Sequence, residues 1–163
     1  ALNAHPRNID DARIRKLAAK GGVVQVNSVS SFLINTPKNA ERDKAMDSFW
    51  ELIEDSADLT PERQREAMRR YHEIEKQYPL PMATFADYMK HMLHIIKVAG
   101  PEHVGLGADW DGGGGVKGME DIASLPKITE RLVQEGYSEA QIDGILGGNL
   151  LRLMRQVEAA AGH

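Results

Sequence analysis

The chain has 163 residues, enough for one domain with a real core, and its 42% hydrophobic and 27% charged residues are ordinary values. The formal net charge is −4 and no basic stripe is present, which argues against a nucleic-acid partner. The absence of cysteine excludes a disulfide framework, a thiolate zinc site and a cysteine nucleophile. No apolar run approaches the roughly 18 residues that a transmembrane helix needs.

The amino-terminal segment, ALNAHPRNID, has the composition of a loop. It lacks an initiator methionine and the charged-then-apolar pattern of a signal peptide, so we expect a fragment or a processed chain. The compartment stays open, and a soluble, bacterial-type protein of the cytoplasm or periplasm is the expectation.

The first elements alternate between helix and strand. The apolar spacing over 9–20, with acids early and lysines late, predicts a helix that ends at two glycines. The β-branched run 23–29 predicts a strand. Two charged helices over 38–58 and 60–77 follow, the second begun by a Thr-Pro pair, and we interpret 38–77 as a helical-hairpin insert.

The remaining pattern is again α/β. Thr84 is the predicted cap of a helix that runs to Ala99, and 103–109 is the second strand. Ser138 and Gln141 form a predicted capping box, and Asn149 is the predicted cap of the last helix. The short helices predicted between the glycine loop and that last helix cover about 119–123, 126–135 and 138–145.

Helix–strand alternation predicts a parallel sheet, yet only two strands are identified. A complete (β/α)8 barrel takes about 250 residues and seldom fewer than roughly 200. We therefore expect the chain to be the last part of a larger α/β domain.

The stretch HVGLGADWDGGGG carries the clearest chemical signal. Asp109 stands where the second strand ends, and functional groups of parallel α/β folds gather at that end. A carboxylate on a rigid strand end beside four glycines can hold a general acid or base. The same residues fit a carboxylate that caps the loop, with the glycines serving as turns. The spacing fits neither a calcium loop nor a phosphate loop.

Other polar residues are weaker candidates. His91 and His94 share one helix face, but zinc needs a third ligand, and we interpret both as structural. Arg7, in the loop HPRN, has the side chain best suited to bidentate carboxylate binding, although a lone loop arginine is more often solvated.

Three blocks resemble the membrane (renal) dipeptidase family of zinc dipeptidases in order and spacing. They are HPRNIDDARIRKLAAKGGVVQVN, HVGLGADWDG and GMEDIASLPKITERLVQEGYSEAQIDGILGGNLLRLMRQVE. The resemblance leaves out about residues 35–82. It implies the C-terminal part of a (β/α)8 TIM barrel of the metal-dependent hydrolase type, with 23–29 as strand 7 and 103–109 as strand 8. The insert at 38–77 resembles a longer helical insert of some bacterial members.

The resemblance also implies roles for three residues. Arg7 matches the arginine that holds the substrate's terminal carboxylate, and Asp109 matches the strand-8 aspartate that contacts substrate and handles protons. Phe32 falls where some members have a tyrosine in the substrate pocket. The family's ligands for its two zinc ions match no residue here, so they are expected upstream of Ala1.

The sequence therefore predicts dipeptide hydrolysis by a dinuclear zinc dipeptidase. The expected partners are a dipeptide substrate and the N-terminal barrel segment, and a homodimer is a further assembly to consider. The alternative is a catalytically inactive fragment, or a metal-free relative, that acts as a binding or assembly module.

Overall fold

A computed structural model describes residues 2–54 and 60–162 as an α/β fold that is mostly helical. The chain forms two compact units. One takes the residues up to Asn35 and from Met82 onward, and the other is Thr36–Pro81. Within the described residues, no helix is both long enough and apolar enough to span a bilayer.

The first unit begins with a helix that leads directly into a strand. Helix α1, Asp11–Ala18, is capped by Asp10, whose carboxylate accepts from the Arg13 N–H at 2.8 Å. Gly21, with φ +78, turns the chain toward strand β1, Val24–Val26. Both elements are shorter than the sequence predicted.

Strand β2, Val104–Leu106, lies parallel to β1, with Val24 opposite Val104 and Val26 opposite Leu106. The carboxyl ends of both strands therefore meet at one sheet edge. Gly107 allows the close approach, because a Cβ there would lie 2.9 Å from the Gln25 Cβ. These two strands form the whole sheet within the described residues, so the predicted barrel remains a prediction.

The core of this unit is built around helix α5, Phe85–Ala99. Thr84 and Asp87 form a capping box at its start, and hydrogen bonds from Thr84 lower the pKa of Asp87. The Tyr88 hydroxyl donates to the Val26 carbonyl at 3.3 Å, and burial raises the pKa of this phenol. Side chains that α5 buries in the core are those of Tyr88, Met89, Met92 and Ile96.

The short helix α2, Ser30–Leu33, follows β1. After β2 the chain forms helices α6, Leu125–Gln134, α7, Glu139–Asp143, and α8, Asn149–Ala161. The capping box of Ser138 and Gln141 is confirmed. The helix predicted at about 119–123 is wrong in position, because a 3-10 turn covers Ile122–Ser124 and a bridge between Val116 and Met119 precedes it.

The predicted cap at Asn149 is also wrong. Asn149 has helical backbone angles, and its buried amide donates to the carbonyls of Pro101 and Val104, each at 2.8 Å. A side chain committed to those distant carbonyls cannot cap its own helix. Asn149 instead ties the start of α8 to the start of β2.

The second unit contains helices α3, Ala40–Glu54, and α4, Pro61–Gln77. They bury Phe49, Ala67 and Ile74 in a core of their own. Residues 55–59 of the helix predicted over 38–58 lie outside the described residues. That 38–77 is an insert within a barrel stays a prediction.

Candidate functional site

The residues that follow the two strands are hydrogen-bonded to each other. The Asn27 Nδ2 donates to Asp109 Oδ2 at 3.0 Å, and Asn27 Oδ1 accepts from the Val29 N–H at 2.7 Å. Because a carboxylate only accepts and a backbone N–H only donates, these two contacts define the orientation of the amide. Sequence reasoning missed Asn27, although its place directly after β1 mirrors that of Asp109 after β2.

Asp109 has an unusual backbone conformation. Its φ of 64 and ψ of 36 are left-handed, and within the described residues it is the one non-glycine residue with a positive φ. Such conformations cost about 1–3 kcal/mol and cluster at functional sites. Its carbonyl accepts from the N–H groups of Gly112 and Gly114, at 3.0 and 2.7 Å, whereas its carboxylate makes no capping hydrogen bond. These contacts disfavour the loop-cap interpretation.

The glycines of the loop leave space for Asp109. A Cβ at Gly112 would lie 2.3 Å from Asp109 Oδ1, and one at Gly114 would lie 2.0 Å from the Ala108 carbonyl oxygen. A side chain at Gly114 would therefore collide with the backbone of the strand end, and one at Gly112 would displace the Asp109 carboxylate. Glycine at positions 112 and 114 therefore lets the loop fold back against Asp109.

Ser28 connects the ends of both strands and the glycine loop through a fully buried hydroxyl. Its Oγ donates to the Ala108 carbonyl and accepts from the Gly115 N–H at 2.8 Å. The end of β1 is thereby joined to the end of β2 and to the glycine loop. No local pattern in the sequence had singled out this serine.

Arg7 and Phe32, for both of which a role in substrate binding is predicted, lie close together in the structure. The Arg7 Cζ is 5.5 Å from the centroid of the Phe32 ring. The loop that carries Arg7 is fastened to α2, because Asn8 donates to the Phe32 carbonyl at 2.7 Å and Asn3 donates to the Ile34 carbonyl at 2.9 Å. Arg7 itself remains exposed.

A cavity of about 260 Å³ adjoins this pair. Arg7, Asn27, Phe32 and His91 are among its lining residues. Asn27 thus both lines the cavity and binds Asp109. The structure therefore links the predicted carboxylate-binding arginine to the predicted acid–base aspartate through a residue that the sequence had not indicated.

The two helix-face histidines have structural hydrogen-bond partners. His91 Nε2 donates to the Leu33 carbonyl at 2.9 Å, and burial lowers the pKa of this imidazole. His94 Nε2 lies 2.8 Å from Asp11 Oδ1, and that hydrogen bond lowers the pKa of the Asp11 carboxyl. Both contacts secure α5 to neighbouring segments.

No cluster of three or more histidine, aspartate or glutamate side chains that could hold a metal ion is found over residues 2–54 and 60–162. The Asp109 carboxylate accepts from the neutral amide of Asn27 and lies against Gly112. The described residues by themselves therefore do not fit a zinc centre.

Comparison with known proteins identifies the family. The family model of membrane dipeptidase, peptidase family M19, matches residues 1–163. The chain therefore belongs to the membrane dipeptidase family, which confirms the resemblance found in the sequence. It is 33% identical over 162 residues to an uncharacterised dipeptidase of Schizosaccharomyces pombe, a match that covers 98% of this chain and 29% of that protein.

Two further relatives are also dipeptidases by name. Dipeptidase 3 of Rattus norvegicus is 42% identical over 78 residues, which are 47% of this chain and 15% of that protein. The crystal structure of the probable dipeptidase PvdM from Pseudomonas aeruginosa matches with a TM-score of 0.65 and 25% identity, over 93% of this chain and 41% of that one. This chain spans less than half the length of each of these relatives.

Proposed function

We propose that this chain forms the C-terminal part of a (β/α)8 barrel enzyme that hydrolyses dipeptides with two zinc ions. The observation that carries the proposal is the hydrogen bond between Asn27 and Asp109, which holds a carboxylate where two parallel strands end. Membership of a dipeptidase family supports the reaction type. Zinc would supply Lewis-acid chemistry to a peptide carbonyl, and the residues that would hold it are assigned to the rest of the barrel.

The unpaired surfaces of the first unit support the role of one segment in a larger barrel. Leu106 and Leu146 line a largely apolar cavity of about 570 Å³ beside strand β2. On α8, Leu150, Met154 and Val157 are exposed by 37%, 48% and 60%, and their spacing places them on one helix face. We assign these surfaces to contacts with the N-terminal strands and helices of the barrel.

Arg7 would bind the terminal carboxylate of the substrate. Its guanidinium lies over the Phe32 ring, and no ion pair occupies it within the described residues. Stacking restricts the guanidinium while its N–H groups remain able to bind a carboxylate in bidentate fashion. With the carboxylate held there, the scissile bond lies one residue away, which gives the preference for dipeptides a physical reason.

Asp109 would act as the general base and then the general acid. It takes a proton from the attacking water as the water oxygen bonds to the carbonyl carbon. It then returns that proton to the leaving amine nitrogen as the C–N bond breaks. Oδ2 accepts a hydrogen bond from Asn27, and the Asp109 side chain is exposed, with Oδ1 close to Gly112.

The test is dipeptide hydrolysis by the complete, zinc-loaded protein and its Asp109→Asn variant. We expect Asp109→Asn to lower kcat by about 10²- to 10⁴-fold, because an amide neither accepts nor returns the proton. Asp143→Asn, the same charge change at an exposed position of α7, should leave kcat near the parent value. Near-normal turnover by Asp109→Asn would contradict the proposal.

A further inference from the structure

We propose that Asn27 is a positioning residue for Asp109, setting the direction of the carboxylate and committing one of its oxygens. This inference rests on the proposed function of Asp109. Its starting point is the pair of contacts made by one amide group, to Asp109 Oδ2 at 3.0 Å and from the Val29 N–H at 2.7 Å.

The amide of Asn27 is oriented by contacts other than the one it makes to Asp109. Asn27 follows the last residue of β1 directly, so its Cα position is set by the sheet. The Val29 N–H then binds Oδ1, which leaves Nδ2 directed at Asp109. A donor that is oriented independently of its acceptor restricts that acceptor, which is the requirement for positioning a reactive group.

The contact distinguishes the two oxygens of the carboxylate. Oδ2 accepts from Asn27, whereas Oδ1 lies next to Gly112, where a Cβ would approach to 2.3 Å. One oxygen therefore serves as the anchor, and the other is left for proton transfer. Because the amide is neutral, it anchors the carboxylate without pairing it to a positive charge.

The neighbouring residue holds the backbone of the same strand end. The buried Ser28 hydroxyl binds the Ala108 carbonyl and the Gly115 N–H, which lie on either side of Asp109 in the chain. The left-handed conformation of Asp109 is maintained between these two points. Consecutive residues after β1 therefore determine both the main-chain and the side-chain direction of Asp109.

The first experiment removes the donor and preserves the shape. In Asn27→Asp a carboxylate can still accept from the Val29 N–H, but it cannot donate to Asp109 and it repels it. We expect kcat in the complete, zinc-loaded protein to fall about 10- to 100-fold, as for a catalytic group displaced by about 1 Å. KM should stay within about threefold, since substrate binding is assigned to Arg7. Asn27→Ala should likewise lower kcat while KM stays near the parent value.

The second experiment separates positioning from structural support. Combining Asn27→Asp with Asp109→Asn restores one amide–carboxylate hydrogen bond with the two groups exchanged. We expect the Tm lost in Asn27→Asp to return toward the parent value, while kcat remains low. In the Asp109→Asn background, Asn27→Ala should cause no further loss of kcat, because the group it positions is already absent.

Gln141→Glu is the matched control. It makes the same amide-to-carboxylate change, keeps the acceptor that binds the Ser138 N–H at 2.9 Å, and lies beside Pro101 and Glu102, before the amino end of β2. Its kcat should equal that of the parent.

The outcomes distinguish the function proposed for Asp109 from the positioning role proposed for Asn27. Normal turnover by Asp109→Asn would overturn the function proposed for Asp109. A low kcat for Asp109→Asn together with normal kcat for both Asn27 variants would overturn the positioning role alone. Recovery of kcat along with Tm in the exchanged double variant would overturn the function proposed for Asp109, because position 109 then carries no carboxylate. A further fall in kcat when Asn27→Ala is added to Asp109→Asn would show that Asn27 does not act through Asp109 and would overturn the positioning role.

Discussion

The Asn27 amide and the Asp109 carboxylate are hydrogen-bonded at 3.0 Å although 82 positions separate them in the chain. The parallel register, with Val26 opposite Leu106, brings the residues after both strands to one edge of the sheet. Arg7 reaches the same region through Phe32 and a cavity that Asn27 also lines. The group proposed for proton transfer and the group proposed for carboxylate binding therefore lie in one region of the structure.

Loss of the Arg7 guanidinium should weaken substrate binding more than turnover. We expect Arg7→Ala in the complete protein to raise KM about 10- to 100-fold with little change in kcat, since a hydrogen-bonded charge contributes about 1.5–3 kcal/mol. Arg7→Lys should be intermediate, because an ammonium group cannot bind the carboxylate in bidentate fashion. Steady-state kinetics with a free dipeptide provide the measurement.

A C-terminally amidated dipeptide tests the same contact from the substrate side. The parent should hydrolyse it poorly, and Arg7→Ala should reduce that rate no further. The control is Arg13→Ala, an exposed arginine paired with Asp10 on α1, which should leave KM unchanged. Equal sensitivity of the free and amidated substrates to Arg7→Ala would argue against carboxylate recognition by Arg7.

Two adjacent glycines should tolerate alanine to different degrees. At Gly113 the added Cβ meets no atom within 4 Å, so only its φ of +90 opposes the change, at about 1 kcal/mol. At Gly114 the Cβ would lie 2.0 Å from the Ala108 carbonyl oxygen, which belongs to the strand end and cannot move aside. We expect Gly114→Ala to lower the Tm more than Gly113→Ala and to reduce kcat as well. Equal Tm values would contradict the observed loop geometry.

His91 should make stability depend on pH. Burial lowers the pKa of His91 below its usual 6.5, so the folded protein keeps the imidazole neutral while the unfolded chain takes up a proton. The contribution of neutral His91 to the free energy of unfolding should therefore be fully present above about pH 6.5 and should decrease as the pH drops below that value. In His91→Gln, which can still donate to the Leu33 carbonyl, the decrease in Tm between pH 7.5 and 5.5 should be smaller.

The matching control for this change is His72→Gln, at an exposed position of α4. Its Tm should show the parent's dependence on pH. An unchanged pH dependence in His91→Gln would remove His91 as the source of the effect.

The chain expressed alone should bind no stoichiometric zinc and hydrolyse no dipeptide. Over the described ranges it offers no cluster of three metal-binding side chains, and its proposed function needs the rest of the barrel. Zinc content after dialysis, measured beside that of the complete protein, tests this expectation. One zinc ion per isolated chain would refute it.

Local signals predicted most helices correctly. Thr60, Thr84 and Ser138 each cap a helix as expected, because a cap depends on residues only a few positions apart. The strand predicted over 23–29 was too long. Asn27 and Ser28 leave the ladder at the carboxyl end of β1, and their side chains bind Asp109 and the Ala108 carbonyl instead.

The sequence by itself determined the family, the helical segments, and the presence of Asp109 at a strand end followed by glycine. These features depend on short patterns and on their order along the chain. Only the tertiary structure decided that Asn27 is hydrogen-bonded to Asp109, that Ser28 joins both strand ends to the glycine loop, and that Arg7 lies over Phe32. Such contacts depend on the register of a parallel sheet and on how distant segments pack, and no local pattern specifies either.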